Sequence, residues 1–504
     1  MKSSIYTRAV AVLASAALLA VSACSAGSST SSGSSPGGDQ NLSIGLVAEP
    51  ASLDFTTTDG AAIPQALLGN VYETLVKQDD SGKIVPSLAK SWTVSPDRKT
   101  YTFDLVDNAK FTNDSQFTAD DAVFSINRVK TAWTTSLKAA MDVVTQAKAL
   151  SPTQLQVTLA RPSNDWLFRM TTRVGAMFSQ RGDAALATSP LGTGPFKFSK
   201  WNRGDSIVMV RNDSYWGSKP FFQQITLKYF KDATALNNAL LTGTINVIGT
   251  VQAPEALSQF TSNDKYQVIE GTTNGEVLLS FNNSLPLFKD IRTRQAIRMA
   301  IDHKALLDTC WAGRGKLIGS MVPPTDPWYE DLTGVAPYDL AKAKSLLQAS
   351  GAAGKTLRLR LPTLPYATSC GQVVKSQLEQ AGLKVRIDQL EFPAAWLTTV
   401  FKNADYDLSI IAHVEPRDLG AVFGNPKYYT RYDDPTLQGY LAAADSGDEA
   451  AQVDNLKKAA RRLSEQAAGD WLFLLPNLMV ADKDIKGLPT NAITENFDLS
   501  KLAR

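Results

Sequence analysis

Between Leu340 and Ala412 the sequence alternates between helical and strand patterns, and this alternation limits the fold more than any other feature. Two segments place apolar residues at helical spacing and end at or just before a glycine, namely 340–350 and 373–382. Strand patterns lie at 357–361 and 385–390, and 408–412 is a short apolar run typical of a buried strand. Helices that alternate with strands in this way predict a parallel sheet covered by helices, an α/β fold.

The chain is too long for a single hydrophobic core. About 465 of its 504 residues follow a low-complexity N-terminal segment, and chains beyond roughly 250 to 300 residues usually divide their cores. We therefore expect at least two lobes. Acidic and basic residues nearly balance, at 49 against 51, and no run of Lys and Arg marks a nucleic-acid surface, so nucleic acid is not an expected partner.

The segment from Asp405 to Tyr429 is the leading candidate for a binding site. Its apolar run ends at Ala412 and is followed at once by polar residues, which are His413, Glu415, Arg417 and Asp418. In α/β proteins, ligands bind where strands end at such an edge of the sheet. A cluster of charges by itself is equally well explained by a solvated loop whose charges pair with one another.

The N-terminus predicts an exported lipoprotein. Lys2 and Arg8 precede about a dozen apolar residues, well short of the ~20 that span a bilayer as a helix. The run ends in the sequence Val-Ser-Ala-Cys at Cys24. We expect residues 1–23 to be a cleaved signal peptide, Cys24 to be lipidated, and the Ser- and Gly-rich residues 24–40 to form a flexible tether. The folded part would then be held on the outer face of the cytoplasmic membrane.

The common signatures of metal sites and hydrolytic enzymes are missing from the sequence. It has no CxxC, HExxH, GxSxG or Walker motif and only two histidines, His303 and His413. We therefore expect no resident metal, no cofactor and no catalytic residue. Besides Cys24 there are only Cys310 and Cys370, which in an exported protein would either form one disulfide or remain two buried thiols.

Three local patterns predict individual helices. Apolar spacing predicts one helix from Ile63 to Leu75, and Thr118 followed by Asp121 predicts a capped helix start. The segment Asp290–Leu307 also has helical spacing. We expect its row of arginines to lie on a solvated face and not to bind an anion.

A series of longer motifs makes the chain resemble one known family. EPASLD begins at Glu49, VYETLV at Val71, PSLAKSWTVSPDRKTYTFDL at Pro86, GTGPF at Gly192 and FNNSLPLFKDIRTRQAIRMAIDHKAL at Phe281. The series is similar to that of family 5 of the extracellular solute-binding proteins, the peptide/nickel class that serves ABC importers. The resemblance covers essentially the whole chain after the tether, and its motifs say little about the ligand.

The resemblance implies a two-lobe periplasmic-binding-protein-like fold (type II, cluster C) with an extra subdomain inserted in lobe one. Its expected parts are lobe one at 41–280, the insert at about 81–184, lobe two at 281–475, and a return to lobe one at 476–504. The chain would cross between the lobes near Phe281–Asn283 and near Leu475–Asn477. A ligand enclosed between the lobes would hold them closed.

The resemblance also assigns residues to this cleft. Asp59 and Gly60 would lie beside the ligand, and Trp396 and His413 would form walls. A buried Trp is equally often part of a core, and a His beside a strand equally often supports other residues.

Peptide binders of the family commonly carry an acidic anchor for the ligand's ammonium group soon after a Trp or Gly, and this chain departs from that pattern. Glu415 and Asp418 both remain candidates for the anchor. Arg417 would be held by the other acid or would bind a ligand carboxylate. The aromatic side chains that follow would wall the cleft or brace the loop, and these are Phe423, Tyr428 and Tyr429.

Three functions follow as alternatives. The first is a monomeric binding protein that hands a peptide or peptide-like solute to the transmembrane subunits of an ABC permease. The second has the same fold and carries nickel or another metal as a chelate. The third, an extracytoplasmic hydrolase that uses His413 with Glu415 or Asp418, lacks a nucleophile motif.

Overall fold

The computed structural model describes residues 40–182 and 185–504. The predicted signal peptide (1–23), the lipidation site Cys24 and the tether up to residue 39 lie outside the described residues. Within the part that is described, none of the helices combines the length and the apolar character needed to cross a bilayer.

The described residues form sixteen strands and fourteen α-helices. The strands are β1 (Asn41–Leu46), β2 (Val76–Gln78), β3 (Ile84–Pro86), β4 (Ala89–Val94), β5 (Thr100–Leu105), β6 (Val144–Ser151), β7 (Gln154–Leu159), β8 (Phe196–Asn202), β9 (Ser206–Arg211), β10 (Gln224–Tyr229), β11 (Val247–Ile248), β12 (Tyr266–Phe281), β13 (Thr356–Pro362), β14 (Lys384–Leu390), β15 (Leu408–His413) and β16 (Gly469–Asp482). The helices are α1 (Ala62–Leu67), α2 (Ala119–Ala132), α3 (Asn164–Arg169), α4 (Ala233–Leu241), α5 (Ser258–Thr261), α6 (Pro286–Lys289), α7 (Ile291–Ala300), α8 (His303–Trp311), α9 (Leu340–Ala349), α10 (Pro365–Gln380), α11 (Ala394–Trp396), α12 (Leu419–Phe423), α13 (Pro435–Ser446) and α14 (Glu449–Glu465). Thr118 and Asp121 form the predicted capping box at the start of α2.

The strands form one large mixed sheet and two smaller sheets. The large sheet has the order β14-β13-β15-β12-β16-β11-β1-β10-β9-β8, the strands β4-β5-β7-β6 form a separate antiparallel sheet, and β2 pairs with β3. β13 runs parallel to both β14 and β15, as the alternation of helices and strands predicts. β12 pairs antiparallel with β15 and β16, so this half of the sheet is mixed and not purely parallel.

Buried apolar residues form two main cores along the large sheet. The first core joins the four-stranded sheet to β1, β10 and the C-terminal tail, with members that include Ile44, Phe103, Ile225 and Leu499. The second core packs helices α7 to α10 on the other half, with members that include Leu279, Ile297, Leu359 and Leu408. We propose that these cores correspond to lobes one and two, and the separate four-stranded sheet supports the proposed insert at 81–184.

The two long strands β12 and β16 pair antiparallel and connect these cores. On β12 the packing changes from the first core at Ile269 to the second core at Val277, and the pairing with β16 shifts register between Thr272 and Glu276. The chain therefore changes cores inside a strand, earlier than the Phe281–Asn283 crossover that the sequence suggests. A continuous strand can do this because its backbone stays paired with β16 on both sides of the irregularity.

The first helix is shorter than predicted, since α1 ends at Leu67 and not at Leu75. The chain turns at Gly69, whose φ of +73° favours glycine. It then presents the carbonyl oxygen of Val71 to Gly194. A Cβ atom built on Gly192 would lie 1.9 Å from that same oxygen. The segments around Val71 and Gly192 therefore pack closely, and this packing overrides the helical pattern of the sequence after Leu67.

The expectation of a solvated face is wrong for two of the three arginines of α7, because Arg294 and Arg298 are buried, whereas Arg292 is exposed and pairs with Asp290. Arg294 donates to the carbonyl groups of Gln466 and Ala467, just after α14. Arg298 lies 3.3 Å from the buried Asp470 at the start of β16. The carbonyl groups at the end of a helix have no partner within it, so these guanidinium groups supply the donors that the buried helix end requires.

The structure joins Cys310 of α8 to Cys370 of α10 in a disulfide, with the two Cα atoms 4.9 Å apart. The crosslink spans 60 residues of chain and ties two helices of the second core together. A crosslink of this span removes many conformations from the unfolded chain.

We expect replacement of both cysteines by serine to lower the free energy of unfolding of the second core by about 4 kcal/mol, because the 60-residue loop is no longer closed. Thermal unfolding of the wild type and the double variant, each with and without reductant, measures the difference. The reduced wild type should unfold like the variant. A transition that neither reduction nor substitution shifts would contradict the prediction.

Candidate ligand-binding cleft

A cavity of about 580 Å³ lies between residues of the two cores. On the side of the first core it is lined by Asp59 and Gly60, in the loop after β1, and by Arg173, which follows α3. On the other side it is lined by the chain that leaves β15, from His413 to Asp418. The structure thus brings together the segments after β1 and after β15 that the sequence predicts to meet at the ligand.

Arg173 is the central cation of the cavity, and no sequence pattern pointed to it. Only 2% of its side chain is exposed, and its Nη2 atom lies 3.0 Å from Glu495 and 3.1 Å from Glu415. Its Nη1 atom donates to the carbonyl group of Gly60. Burial opposes the charged form, but Glu495 and Glu415 outweigh it and raise the pKa of Arg173. One guanidinium group therefore connects the first core, the C-terminal tail and the loop after β15.

His413 ends β15 as a buried, neutral side chain. Its Nε2 atom lies 2.8 Å from the hydroxyl of Tyr429, and the two rings stack with centroids 5.8 Å apart. Its Nδ1 atom is 3.6 Å from the carboxylate of Asp418, beyond hydrogen-bond distance. Burial lowers the pKa of His413 to about 4, so the imidazole offers a nitrogen lone pair and not a positive charge at neutral pH.

The two acids that follow His413 differ in their surroundings. Glu415 accepts from Arg173, and although burial acts to raise its pKa, Arg173 holds the pKa of Glu415 below its usual value. Asp418 is 4% exposed, and its Oδ2 atom has no hydrogen-bond partner among the described residues. Burial and the nearby charge of Glu415 raise the pKa of Asp418. Glu415 is thus already balanced by a cation, and Asp418 is not.

Among the acids that line the cavity without having been predicted, Glu276 and Asp326 have raised pKa values. Glu276 of β12 pairs directly with His413 of β15, so both side chains lie on the same face of the sheet. Glu276 is 1% exposed and its Oε2 atom has no partner among the described residues. Burial, reinforced by Asp418, raises the pKa of Glu276. Burial also raises the pKa of Asp326 to about 6, against the opposing effect of Arg417.

The sequence contains a signal for one of these acids. Glu276 stands directly before the apolar run 277–279 in β12, and an acid beside such a run in a buried strand requires an explanation. Asp326 lies in the proline-containing loop 323–327, where an acid is unremarkable.

Arg417 lies between aromatic rings and is not held by either neighbouring acid. Its guanidinium carbon is 4.0 Å from the ring centre of Phe168 and 4.9 Å from that of Trp328. Arg169 donates to its carbonyl group. The guanidinium group of Arg417 lines the cavity and forms no ion pair within the described residues, although the charge of Asp326 acts on it.

Aromatic side chains form one wall of the cavity. Trp396 and Tyr428, both predicted, line it together with Phe392 and Phe401. The indole nitrogen of Trp396 donates to Ser409, so its ring is held firmly in place.

Two predicted wall residues lie elsewhere. Phe423 packs against Trp471 and Tyr432, because α12 turns this side chain towards β16. Tyr429 lies behind His413. The structure places neither Phe423 nor Tyr429 on the surface of the cavity, and they instead brace the residues that form it.

A second cavity of about 600 Å³ shares Asp59, Gly60, Arg173 and Glu415 with the first cavity. Its own lining is mainly apolar and includes the amides of Asn274, Asn477 and Asn491. Because the Arg173–Glu415 ion pair lines both cavities, we call them two chambers of one cleft.

One group of side chains could hold a metal ion. His413, Glu415 and Asp418 each offer a ligand atom, and these atoms lie within 4.8 Å of one another. One nitrogen and two carboxylate oxygens suit a divalent transition metal. The fit is incomplete, because Glu415 already binds Arg173.

Curated relatives of this chain are transport proteins. It is 31% identical over 350 residues to the nickel-binding periplasmic protein of Escherichia coli, a match that covers 63% of this chain and 65% of that protein. It is 30% identical over 293 residues to a putative ABC transporter peptide-binding protein of Brucella ovis, covering 56% of this chain and 54% of that one. The chain thus spans between about half and two thirds of the length of these relatives.

Solved structures share the fold. A dipeptide-binding protein from Pseudoalteromonas in complex with Met-Leu has a TM-score of 0.85 at 20% identity, covering 92% of this chain and 100% of that one. A periplasmic binding protein from Helicobacter pylori in complex with the peptide STSA has a TM-score of 0.83 at 22% identity, covering 92% and 97%. These similarities confirm the predicted α/β, two-lobe periplasmic-binding-protein-like fold of type II.

A family model identifies the chain more directly. The model described as bacterial extracellular solute-binding proteins, family 5 Middle, matches residues 83–434. The match includes most of the residues that line the cavity, from Arg173 to Tyr428. The chain therefore belongs to family 5 of the bacterial extracellular solute-binding proteins.

Proposed function

We propose that this protein is the substrate-binding component of an ABC importer and that it captures a peptide or peptide-like solute in its cleft. The observation that carries the proposal is that Asp418 and Arg417 line one cavity and that neither forms an ion pair between a carboxylate and a Lys or Arg within the described residues. A buried ion without a partner is costly, so the cavity favours a ligand that brings both charges. A zwitterionic peptide is such a ligand.

Asp418 is the better candidate for the ammonium anchor. Its carboxylate is buried and has an oxygen without a hydrogen-bond partner among the described residues, whereas Glu415 is paired with Arg173. A ligand ammonium group would restore to Asp418 the interactions that burial removes. Glu415, by contrast, already pairs with Arg173 and has less to gain from a ligand ammonium group.

Arg417 is the candidate for the other end of the ligand. Its guanidinium group stacks on Phe168 and Trp328. The two rings hold the flat face of the group, so the N–H groups along its edge can donate hydrogen bonds. A guanidinium group binds a carboxylate through two parallel hydrogen bonds. The aromatic wall around Trp396 would then contact the side chains of the ligand.

The relatives support the same class of function, since they include a nickel-binding periplasmic protein and a putative ABC transporter peptide-binding protein. We further propose that the protein is anchored by a lipid on Cys24 at the outer face of the cell membrane. It would act there as a monomer and deliver its ligand to the transmembrane subunits of a permease. Closure of the two lobes around the ligand would be the state that the permease recognises.

We propose no catalytic role for His413 and the acids beside it. Family membership associates the chain with solute binding and not with catalysis. Release of unchanged ligand by the purified protein is the expected result, and turnover of a bound peptide would contradict it.

Transport of a metal chelate is the second candidate, because His413, Glu415 and Asp418 lie close enough to share an ion. The Nδ1 atom of His413 is the free nitrogen, since Nε2 contacts Tyr429. Titration with nickel, alone and with free histidine, tests this function. Saturable binding that is lost in His413→Ala would favour it over peptide binding.

We expect Asp418→Asn to weaken ligand binding by about 2 to 5 kcal/mol, because the ligand's ammonium group would lose a buried charged partner. The ligand is first identified by mass spectrometry of the compound that co-purifies with the mature protein. Calorimetry with that compound then measures affinity. Glu415→Gln is the matched comparison and should weaken binding less.

The two amide variants also separate the alternatives. A larger loss in Glu415→Gln would assign the anchor to Glu415. Unchanged affinity in both variants would remove the loop after β15 from the site.

We expect affinity for a cationic ligand to fall as the pH drops from 7.5 to 5. In the ligand-free protein burial raises the pKa of Asp326 to about 6. A nearby ligand cation stabilises the ionised carboxylate of Asp326. Below a pH of about 6 the Asp326 carboxyl group must therefore release a proton when the ligand binds. The affinity loss approaches ~10-fold per pH unit for one such proton. Calorimetry at several pH values measures it, and Asp326→Asn should flatten the dependence; an equally steep dependence in that variant would contradict the assignment.

A further inference from the structure

The charges that line the cavity do not balance. Among the described residues around it are eight carboxylates and four guanidinium groups. Three of the guanidinium groups already have carboxylate partners, at distances of 2.5 to 3.1 Å: Arg161 with Asp445, Arg169 with Asp165, and Arg173 with Glu415 and Glu495.

Four carboxylates remain after these pairs are removed. Asp59 lies in the field of Arg173, which opposes the effect of burial on its pKa. The other three, Glu276, Asp326 and Asp418, interact with one another, and Arg417 is the remaining cation of the lining. A single ligand ammonium group therefore leaves this part of the cavity with an excess of negative charge. A ligand carboxylate bound to Arg417 would increase that excess.

Glu276 is the acid whose position is hardest to explain by folding alone. It is 1% exposed, its Oε2 atom has no partner among the described residues, and it lines the cavity. None of the four arginines of the lining lies within hydrogen-bond distance of the Glu276 side chain. The sheet holds it rigidly, because its backbone is paired with both His413 and Leu474.

Another buried glutamate shows what a structural carboxylate looks like in this protein. Glu73 accepts hydrogen bonds from Thr193 at 2.8 Å, Tyr215 at 2.7 Å and Trp216 at 2.8 Å. It lines neither chamber of the cleft. Burial of Glu73 is compensated by these donors, and burial of Glu276 is not compensated in the same way.

We propose that Glu276, with Asp326 nearby, binds a second positive group of the ligand, so that the protein selects basic peptides. The first positive group is the ammonium group assigned to Asp418, and the second belongs to a Lys or Arg side chain. This inference rests on the proposed function, because it names the class of peptide that the same cleft takes. Glu276 is thus a residue that determines specificity and not part of the general peptide site.

The test is capture of peptides from a defined mixture. Ligand-free mature protein is incubated with a casein digest prepared with a protease of broad specificity, and the retained peptides are identified by mass spectrometry. For the wild type we expect peptides that contain Lys or Arg to be enriched about tenfold over the input, because a desolvated pair of opposite charges favours the charged ligand. For Glu276→Gln we expect capture to continue with little enrichment.

Two further variants distinguish a role in specificity from a role in folding. Glu276→Asp keeps the charge and should retain part of the enrichment. Glu73→Gln, the matched control, should lower the Tm of the ligand-free protein and leave the enrichment intact. Glu276→Gln should not lower that Tm, because it removes an uncompensated buried charge.

Each contrary result has a distinct meaning. Capture of peptides without enrichment in the wild type overturns the inference and leaves the proposed function standing. Enrichment that persists in Glu276→Gln, or loss of folding in that variant, also overturns it. Failure to capture any peptide overturns the proposed function itself, and the inference with it.

Discussion

The ion pairs of Arg173 are the interaction on which the arrangement of the cleft depends. Its guanidinium group is almost completely buried, so it requires carboxylate partners, and these come from Glu495 in the C-terminal tail and Glu415 after β15. Both partners are distant from Arg173 in the sequence. Removing either would leave a buried charge under-compensated, which costs far more than loss of an exposed ion pair. The same ion pairs line both chambers of the cleft and occupy Glu415, one of the two candidate anchors.

The remaining acids show how a binding site differs from a core in this protein. In the core, the buried Glu73 has three donors, and Arg294 donates to carbonyl groups at the end of a helix. In the cleft, Glu276 and Asp418 each keep an oxygen without a hydrogen-bond partner among the described residues. An unsatisfied buried group is a cost in the empty protein and a gain when a complementary ligand arrives. A receptor that closes around its cargo uses this difference, because the ligand supplies contacts that neither lobe provides alone.

Most of the fold could be predicted from local pattern, and the exceptions have identifiable causes. β13, β14 and β15 and the helices between them follow the predicted alternation because each satisfies its own apolar periodicity. The helix after Ala62 ends early because Gly192 and Gly194, far along the chain, pack against its continuation. Arg294 and Arg298 of α7 are buried because the end of α14 needs donors. In both cases a partner distant in sequence overrides a local preference.

The sequence by itself determined the family and the α/β class, because these depend on periodicity and on the order of motifs along the chain. It also identified the loop after β15, with Asp418 and Glu415, as a candidate for ligand binding. Only the tertiary structure showed that Glu415 is paired with Arg173 and that Glu276 and Asp326 line the same cavity. The reason is electrostatic: whether a buried acid is free to bind a ligand depends on which cations lie within a few ångströms of it. Those cations come from distant parts of the chain, and no local pattern records the distance.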